Sequence, residues 1–287
     1  MKNIIRKILN NIVWYINPSL FIKLRYFLKF WNFPDLKNPK TFNEKLQYIK
    51  LNWSKYIDLV DKYKVRNYIK EKIWEEVLTK LYWVWAQPEQ IPFDDLPDKF
   101  VIKCNHWSGY NIIVDNKSKL DKNETIKQLK KWMNEDFWKL GAELQYANVE
   151  KMIVVEEFLK DDKYQVPLDY KFFCFNWVVD YIQVDFDRFS QHKRDFYSTK
   201  WDKLDFWLIY WWNDEKIDKP INLSKMIEYC EILSKGFPFV RIDFYEVKWK
   251  IYFWEITLTP EAWLWNFIPN HNEIDKKLWE KIDLKIK

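Results

Sequence analysis

Glycine is nearly missing: the 287-residue chain holds 3, where the usual share of roughly 7% would give about 20. Such a chain has few residues suited to the left-handed backbone of tight turns and helix ends. Cysteine and histidine are as scarce, with 3 of each. Cys104, Cys174 and Cys230 are odd in number and lack paired spacing, which argues against a disulfide framework and for a reducing compartment. His106, His192 and His271 form no Cys/His cluster of zinc-ligand spacing, so no transition-metal centre is expected. No run reaches the roughly 18 apolar residues of a spanning helix, and the N-terminus carries no apolar region with a small-residue cleavage site. The expected location is cytoplasmic. With 48% apolar and 31% charged residues, the composition fits a soluble globular chain of one large domain or two packed lobes, not a disordered, collagenous or multispan one.

What is abundant is tryptophan, at 19 residues. Several stand where glycine is the physical choice. Two strand-like runs flank Lys248-Trp249, where a two-residue hairpin needs positive φ, and Phe175-Asn-Trp-Val-Val179 repeats that pattern. Trp107 lies in a short polar loop after a strand, Cys104-Asn-His-Trp-Ser-Gly-Tyr110, and Trp263 and Trp265 share another loop. Two readings compete. Either UGA codons shown as tryptophan are read as glycine in the source organism, or this is a natural protein that tolerates many indoles. Trp85, Trp132 and Trp201 fit core positions under both.

Charge is uneven. Residues 1–34 carry Lys2, Arg6, Lys7, Lys23, Arg25 and Lys29 with no acid, interleaved with apolar residues at helical spacing. A basic amphipathic helix at the inner face of a membrane and an ordinary helix packed on the body are both open readings. Nucleic-acid binding is not expected, because the basic surplus ends there and no recognised motif accompanies it.

Thr41-Phe-Asn-Glu44 reads as a capping box opening a helix to about Leu51, and a second helix is expected over 56–73. Strands are expected at 81–84 and 100–103, then a helix over 117–140. From Met152 strands dominate, at 152–155, 169–175, 181–185, 240–245 and 251–256, with one helix at 224–235. The fold class is α+β, with two lobes meeting near residue 150.

The chemistry concentrates in the strand-rich half. Asp243 and Glu255 lie on runs joined by the presumed hairpin, and period-2 alternation groups Asp243 with Tyr245, and Phe253 with Glu255 and Thr257. Pairing of the runs gathers Asp243, Glu255 and Thr257, three oxygen donors of the kind that hold Mg²⁺ against phosphates. Solvent-facing acids are the competing reading. Arg241 beside Asp243, Lys171 after Asp169, and Lys103 at the end of its strand favour a metal–phosphate site. Asp187-Arg-Phe-Ser-Gln-His-Lys-Arg194 offers Arg188, His192, Lys193 and Arg194, either a cradle for a carboxylate or sugar phosphate or a solvated basic loop.

Seven ordered segments, over roughly residues 20–285, resemble the TupA-like ATP-grasp proteins of teichuronopeptide and cell-surface polysaccharide synthesis. They are Asn38-Pro-Lys-Thr-Phe-Asn-Glu-Lys45, Asp61-Lys-Tyr-Lys-Val-Arg66, Phe100-Val-Ile-Lys-Cys-Asn-His106 with Ser108-Gly109, Glu156-Glu-Phe-Leu159, Asp169-Tyr-Lys-Phe-Phe173, Phe239-Val-Arg-Ile-Asp-Phe244 and Glu255-Ile-Thr257. The resemblance implies an ATP-grasp fold, with the nucleotide between two α+β lobes. It divides the chain into a basic helical segment (1–46), an N-terminal part with the phosphate loop (47–150) and a C-terminal lobe with the Mg²⁺ site (151–287).

By the same resemblance, Lys62 and Lys103 hold ATP phosphates, and Trp107-Ser108-Gly109 occupies the phosphate loop, where the family favours Gly-Ser-Gly. Glu156, Glu157, Phe158 and Leu159 meet adenine and ribose, with Asp169 also at the nucleotide. Asp243, Glu255 and Thr257 stand for the Mg²⁺ ligands, although the family generally has Asn at the third place. Arg241 and Lys171 are the implied catalytic cations. Trp31, Trp74, Trp83, Trp107, Trp177, Trp249, Trp254, Trp263, Trp265 and Trp279 all fall where such proteins carry glycine. The implied reaction is two-step carboxylate–amine ligation through an acyl phosphate, joining an amino acid to a glycan carboxylate. A sugar transferase of the same pathway and a non-catalytic relative are the alternatives.

Overall fold

In the computed structural model, antiparallel strands carry the architecture; the residues described are 17–284 apart from 53–55, 108, 137, 142, 165, 187–191, 209, 214–216, 261–263, 265–266 and 269–270. A four-stranded sheet runs in the order β1 (Leu81–Trp85), β4 (Ile153–Glu157), β2 (Phe100–Cys104) and β3 (Asn111–Val114). A five-stranded sheet runs β10 (Lys250–Thr257), β9 (Phe239–Val247), β5 (Asp169–Phe175), β6 (Val178–Phe186) and β7 (Lys193–Ser198). Two short strands, β8 (Trp207–Leu208) and β11 (Phe267–Ile268), pair with each other. The fold class is α+β, as expected. β4 follows residue 150 in sequence yet belongs to the first sheet.

The helices are α1 (Pro18–Phe30), α2 (Phe42–Asn52), α3 (Ile57–Val60), α4 (Val65–Lys72), α5 (Lys122–Met133), α6 (Trp138–Gly141), α7 (Leu223–Leu233) and α8 (His271–Glu280). α2 starts at the capping box: Thr41 Oγ1 accepts from the Glu44 amide at 3.2 Å, and Glu44 Oε2 accepts from the Thr41 amide at 3.2 Å. The single helix expected over 56–73 is two. Asp61 Oδ1 accepts from the amides of Tyr63 (2.8 Å) and Lys64 (3.2 Å), a local turn that competes with helix and divides α3 from α4. Similarly, the helix expected over 117–140 begins only at α5, where Asp121 Oδ1 caps the Glu124 amide at 2.9 Å. The strands β3, β7, β8 and β11 and the helix α8 were not anticipated.

The five-stranded sheet sorts its residues by face. Tyr170, Phe172, Cys174, Ile182, Val184, Ile242 and Phe244 point to one core, closed by α7 through Met226, Cys230 and Leu233. Each fully buried phenylalanine there contributes about 2–3 kcal/mol. The opposite face is divided: Phe173, Phe175, Tyr181, Phe196 and Phe239 pack against Phe42, Leu46 and Ile49 of α2 and Leu278 of α8, while the remainder of that face is polar.

α1 packs on the body through Phe21, Ile22 and Tyr26, which favours the ordinary-helix reading for residues 17–30; residues 1–16 lie outside the described set. Among the described residues no helix is long and apolar enough to cross a membrane. Of the tryptophans assigned to core, Trp132 stacks on Tyr110 at 4.8 Å. Trp85 instead is solvent-exposed at the end of β1, and Trp201, though packed on Tyr197, has φ +75°. The three cysteines are free and buried.

Candidate functional site

Strand register writes the floor of a cleft. Tyr245 opposes Asp169, Asp169 opposes Asp185, and Asp185 opposes Arg194; one step along, Glu255 opposes Asp243, Asp243 opposes Lys171, and Lys171 opposes Gln183. Since every second residue shares a face, these two rows form one charged surface. Glu255 reaches it through an irregularity. Between Phe253 and Glu255 the register shifts, so Phe253 opposes Phe244 in the core while Glu255 opposes Asp243. The grouping of Phe253 with Glu255 expected from simple alternation is therefore corrected: the bulge at Trp254 turns them to opposite faces.

Arg241 organises one end. Its Nε donates to Asp243 Oδ1 at 2.7 Å, and Nη2 donates to Asp243 Oδ2 (2.7 Å), Glu255 Oε1 (2.9 Å) and Thr257 Oγ1 (3.0 Å). Thr257 Oγ1 in turn donates to Glu255 Oε1 at 2.9 Å. Burial opposes charge on Glu255, yet Lys62, Arg241 and Lys171 outweigh it and bring its carboxyl down to about 2. Lys171 lies among three carboxylates, paired with Asp169, 3.4 Å from Asp185 and 3.6 Å from Asp243. At the far end Arg194 Nε donates to Asp185 Oδ1 at 2.6 Å, and His192 Nε2 stands 3.2 Å from that oxygen. His192 stacks on Tyr210, with ring centroids 3.8 Å apart. Burial opposes the Asp185 charge, but Lys171, His192 and Arg194 carry its carboxyl well below the usual range.

The first sheet and the loop after α3 supply the other wall. The Asp61 turn directs Lys62 inward, where its Nζ donates to the Trp107 carbonyl at 2.7 Å. Lys103 on β2 is buried and paired with Glu156 on β4. Burial and the nearby Lys62 hold the Lys103 ammonium pKa well below its ordinary value, and burial lowers that of Lys62. A buried ammonium held down further by a second one nearby suits the approach of an anion. The cleft measures about 550 Å³, a size suited to a small ligand.

The expected site residues divide as follows. Lys62, Lys103, Trp107, Gly109, Glu157, Phe158, Leu159, Asp169, Lys171, Arg241, Glu255, Thr257, His192 and Arg194 all line this cleft. Glu156 does not; its carboxylate is behind Lys103, 3.0 Å from Thr79 Oγ1 and 3.9 Å from Arg66. Asp243 is buried beneath the Arg241 fork, and Lys193 falls on the other face of β7 from Arg194. The stretch read as either a cradle for a carboxylate or sugar phosphate or a solvated basic loop ends in a strand. Ser108 and Arg188 lie outside the described residues, as do Trp263 and Trp265. Asp185, Tyr210, Tyr245, Glu143, Tyr146 and Thr259 also line the cleft and were missed. Alternation along β6 and β9 was a signal for Asp185 and Tyr245; the others come from short loop segments without periodicity.

Among the described residues no group of three or more His, Cys, Asp or Glu side chains is arranged to hold a metal. The Glu255 carboxylate and Thr257 hydroxyl are nevertheless hard oxygen donors facing the cleft, which fits Mg²⁺, an ion commonly held by one or two carboxylates together with substrate phosphates.

A family model described as TupA-like ATPgrasp matches residues 44–283. The chain belongs to the TupA-like ATP-grasp family. Among solved structures, this ATP-grasp chain is similar to the D-alanine–D-alanine ligase from Bacillus anthracis, at 17% identity and TM-score 0.45, covering 80% of this chain and 67% of that one. It is also similar to phosphoribosylamine–glycine ligase from Thermotoga maritima (13%, TM-score 0.42, 75% and 54%) and N5-carboxyaminoimidazole synthetase from Staphylococcus aureus (13%, TM-score 0.41, 75% and 50%). It thus spans about half to two thirds of the length of these structures. No curated protein matches. In the TupA-like chain, the two antiparallel sheets form the walls around the cleft.

Proposed function

We propose that this protein is an ATP-dependent carboxylate–amine ligase that joins an amino acid to a carboxylate of a cell-surface polysaccharide precursor. The observation that carries it is the meeting, in one cleft, of Lys62 and Lys103 from one wall with Lys171, Arg241, Glu255 and Thr257 from the other. Lys62 and Lys103 would neutralise the nucleotide phosphates, whose charge would offset the burial that lowers both ammonium pKa values and the Lys62 charge that lowers that of Lys103 further. Phe158, Leu159 and Tyr245 supply apolar surface for a base. Glu255 and Thr257 would hold Mg²⁺, which supplies charge neutralisation at the phosphates.

In the first step a carboxylate oxygen of the substrate attacks the γ-phosphorus, and ADP leaves. Arg241, fixed by Asp243, Glu255 and Thr257, presents its guanidinium where the transferred phosphoryl charge develops. In the second, the amine nitrogen attacks the acyl carbon, the C–O bond to phosphate breaks, and the amine loses a proton. His192, steadied by Asp185 and Tyr210, is the cleft group suited to accept that proton.

One observation favours a non-catalytic relative instead: the Lys103 ammonium is 3.4 Å from the centroid of the Trp254 ring, which covers it. ADP release in the presence of ATP, Mg²⁺, a uronic-acid oligosaccharide and glutamate separates the readings. Release that requires both carboxylate and amine, and is lost in Glu255→Gln, supports the ligase; ATP-independent consumption of a nucleotide sugar would point to the transferase.

A further inference from the structure

We infer that positions 31, 74, 177, 201 and 249 are glycine in the living protein, and position 254 with them, through UGA codons that the source organism reads as glycine. The backbone carries the inference. Among the described residues seven non-glycine positions have positive φ, and five are tryptophan: Trp31 (61°), Trp74 (123°), Trp177 (75°), Trp201 (75°) and Trp249 (64°). Tryptophan is 19 of 287 residues, so chance would place fewer than one among seven. A bulky side chain in this region is an outlier, whereas glycine enters it freely.

Each of four positions has its own glycine logic. Trp31 ends α1 in the left-handed conformation, its amide donating to the Phe27 carbonyl at 2.7 Å, the place where helices most often carry glycine. Trp74 has φ 123° and ψ 152°, a region populated essentially by glycine alone. Asn176-Trp177 and Lys248-Trp249 have positive φ at both central residues of a two-residue hairpin, the turn that prefers Asn-Gly. Packing gives no competing reason for an indole at three of these, since Trp31, Trp74 and Trp249 are 74%, 68% and 75% exposed.

Position 254 is the functional member. It lies at the bulge that brings Glu255 opposite Asp243, a place where glycine lets a ligand approach the strand. As tryptophan it covers the Lys103 ammonium and packs edge-on against Tyr245. As glycine it bares the face of the Lys103 ammonium that the ring covers. This last point rests on the nucleotide reading of the site; the five backbone positions do not.

A systematic exchange of one residue type for another at unrelated sites is the mark of a codon, not of separate mutations. Peptide mass spectrometry on the protein purified from its native source tests it. Glycine at 31, 74, 177, 201, 249 and 254 is expected; tryptophan at the five backbone positions overturns the inference, and tryptophan at 254 alone overturns its extension to the cleft. A Mg-ATP titration then compares the chain as written with Trp254→Gly. At least tenfold tighter binding in the variant is expected, and equal binding by both refutes the uncovering of Lys103. If neither binds while the peptides show glycine, the recoding stands and the ligase reading falls.

Discussion

Replacing Trp74, Trp177 and Trp249 together by glycine should make the protein more stable, although three large side chains are lost. A left-handed L-residue costs roughly 1–2 kcal/mol, and the greater flexibility of unfolded glycine returns about 0.5–1 kcal/mol of that. The net gain is then about 0.5–1 kcal/mol per site. Trp74 and Trp249 are exposed, so little packing is forfeited there, and the sites lie on separate turns, so the gains should add to roughly 1.5–3 kcal/mol. For a chain of this size that corresponds to a Tm rise of about 3–5 °C. Circular dichroism follows the melt without depending on indole fluorescence. Trp→Ala at the same three positions is the control, since alanine loses the same indoles yet still pays for positive φ. A glycine variant no more stable than the alanine variant would refute the argument from backbone. Trp132→Gly, at an ordinary φ in a stacked position, should destabilise.

Other outcomes follow from the packing. Burial, aided by Lys151, pushes the His106 imidazole down to about 4 from its ordinary 6.5. Because its folded-state pKa is depressed, the stability it contributes is complete above pH 6.5 and is lost as pH falls towards 4, up to about 3 kcal/mol; urea melts across that window should flatten in His106→Gln. Thr41→Ala removes the oxygen that caps the Glu44 amide and should cost about 1 kcal/mol, read as a lower urea midpoint at unchanged m-value. Asp243→Ala strips the largely buried Arg241 guanidinium of its fork partner and should cost about 3 kcal/mol, so a variant as stable as the parent would contradict the buried pairing. Burial drives the Cys104 thiol up to about 12, so alkylation at pH 8 should be negligible until denaturant is added.

How much of this was legible beforehand depends on how locally each feature is encoded. The Thr41–Glu44 box marked the start of α2 because both halves of the cap lie within one turn of sequence. Strands β5, β9 and β10 were visible through their apolar runs. The break at Asp61 was not, since a side-chain hydrogen bond decides the conformation there. β7 was hidden because its Lys193-Arg194 start reads as polar loop; Arg194 is buried only because Asp185 on the neighbouring strand pairs with it. Such partners are remote in sequence and carry no local mark.

The site shows the same limit more sharply. Alternation placed Asp243, Glu255 and Thr257 around one point, and the structure brings them within reach of a single guanidinium. The route is different, however. With regular pairing, Phe253 and Glu255 would share a face, and one of them would be misplaced: a phenylalanine in the charged cleft or a carboxylate in the core. One bulge residue resolves the conflict by giving Phe253 to Phe244 and Glu255 to Asp243. That residue must tolerate an irregular strand and leave room beside Lys103, and both demands describe the smallest side chain. The residue written at 254 is the largest. The scarcity of glycine, the positive φ values at distant turns and the covered lysine in the cleft thereby become one observation: the backbone retains the conformations of glycine positions whose side chains the sequence does not show.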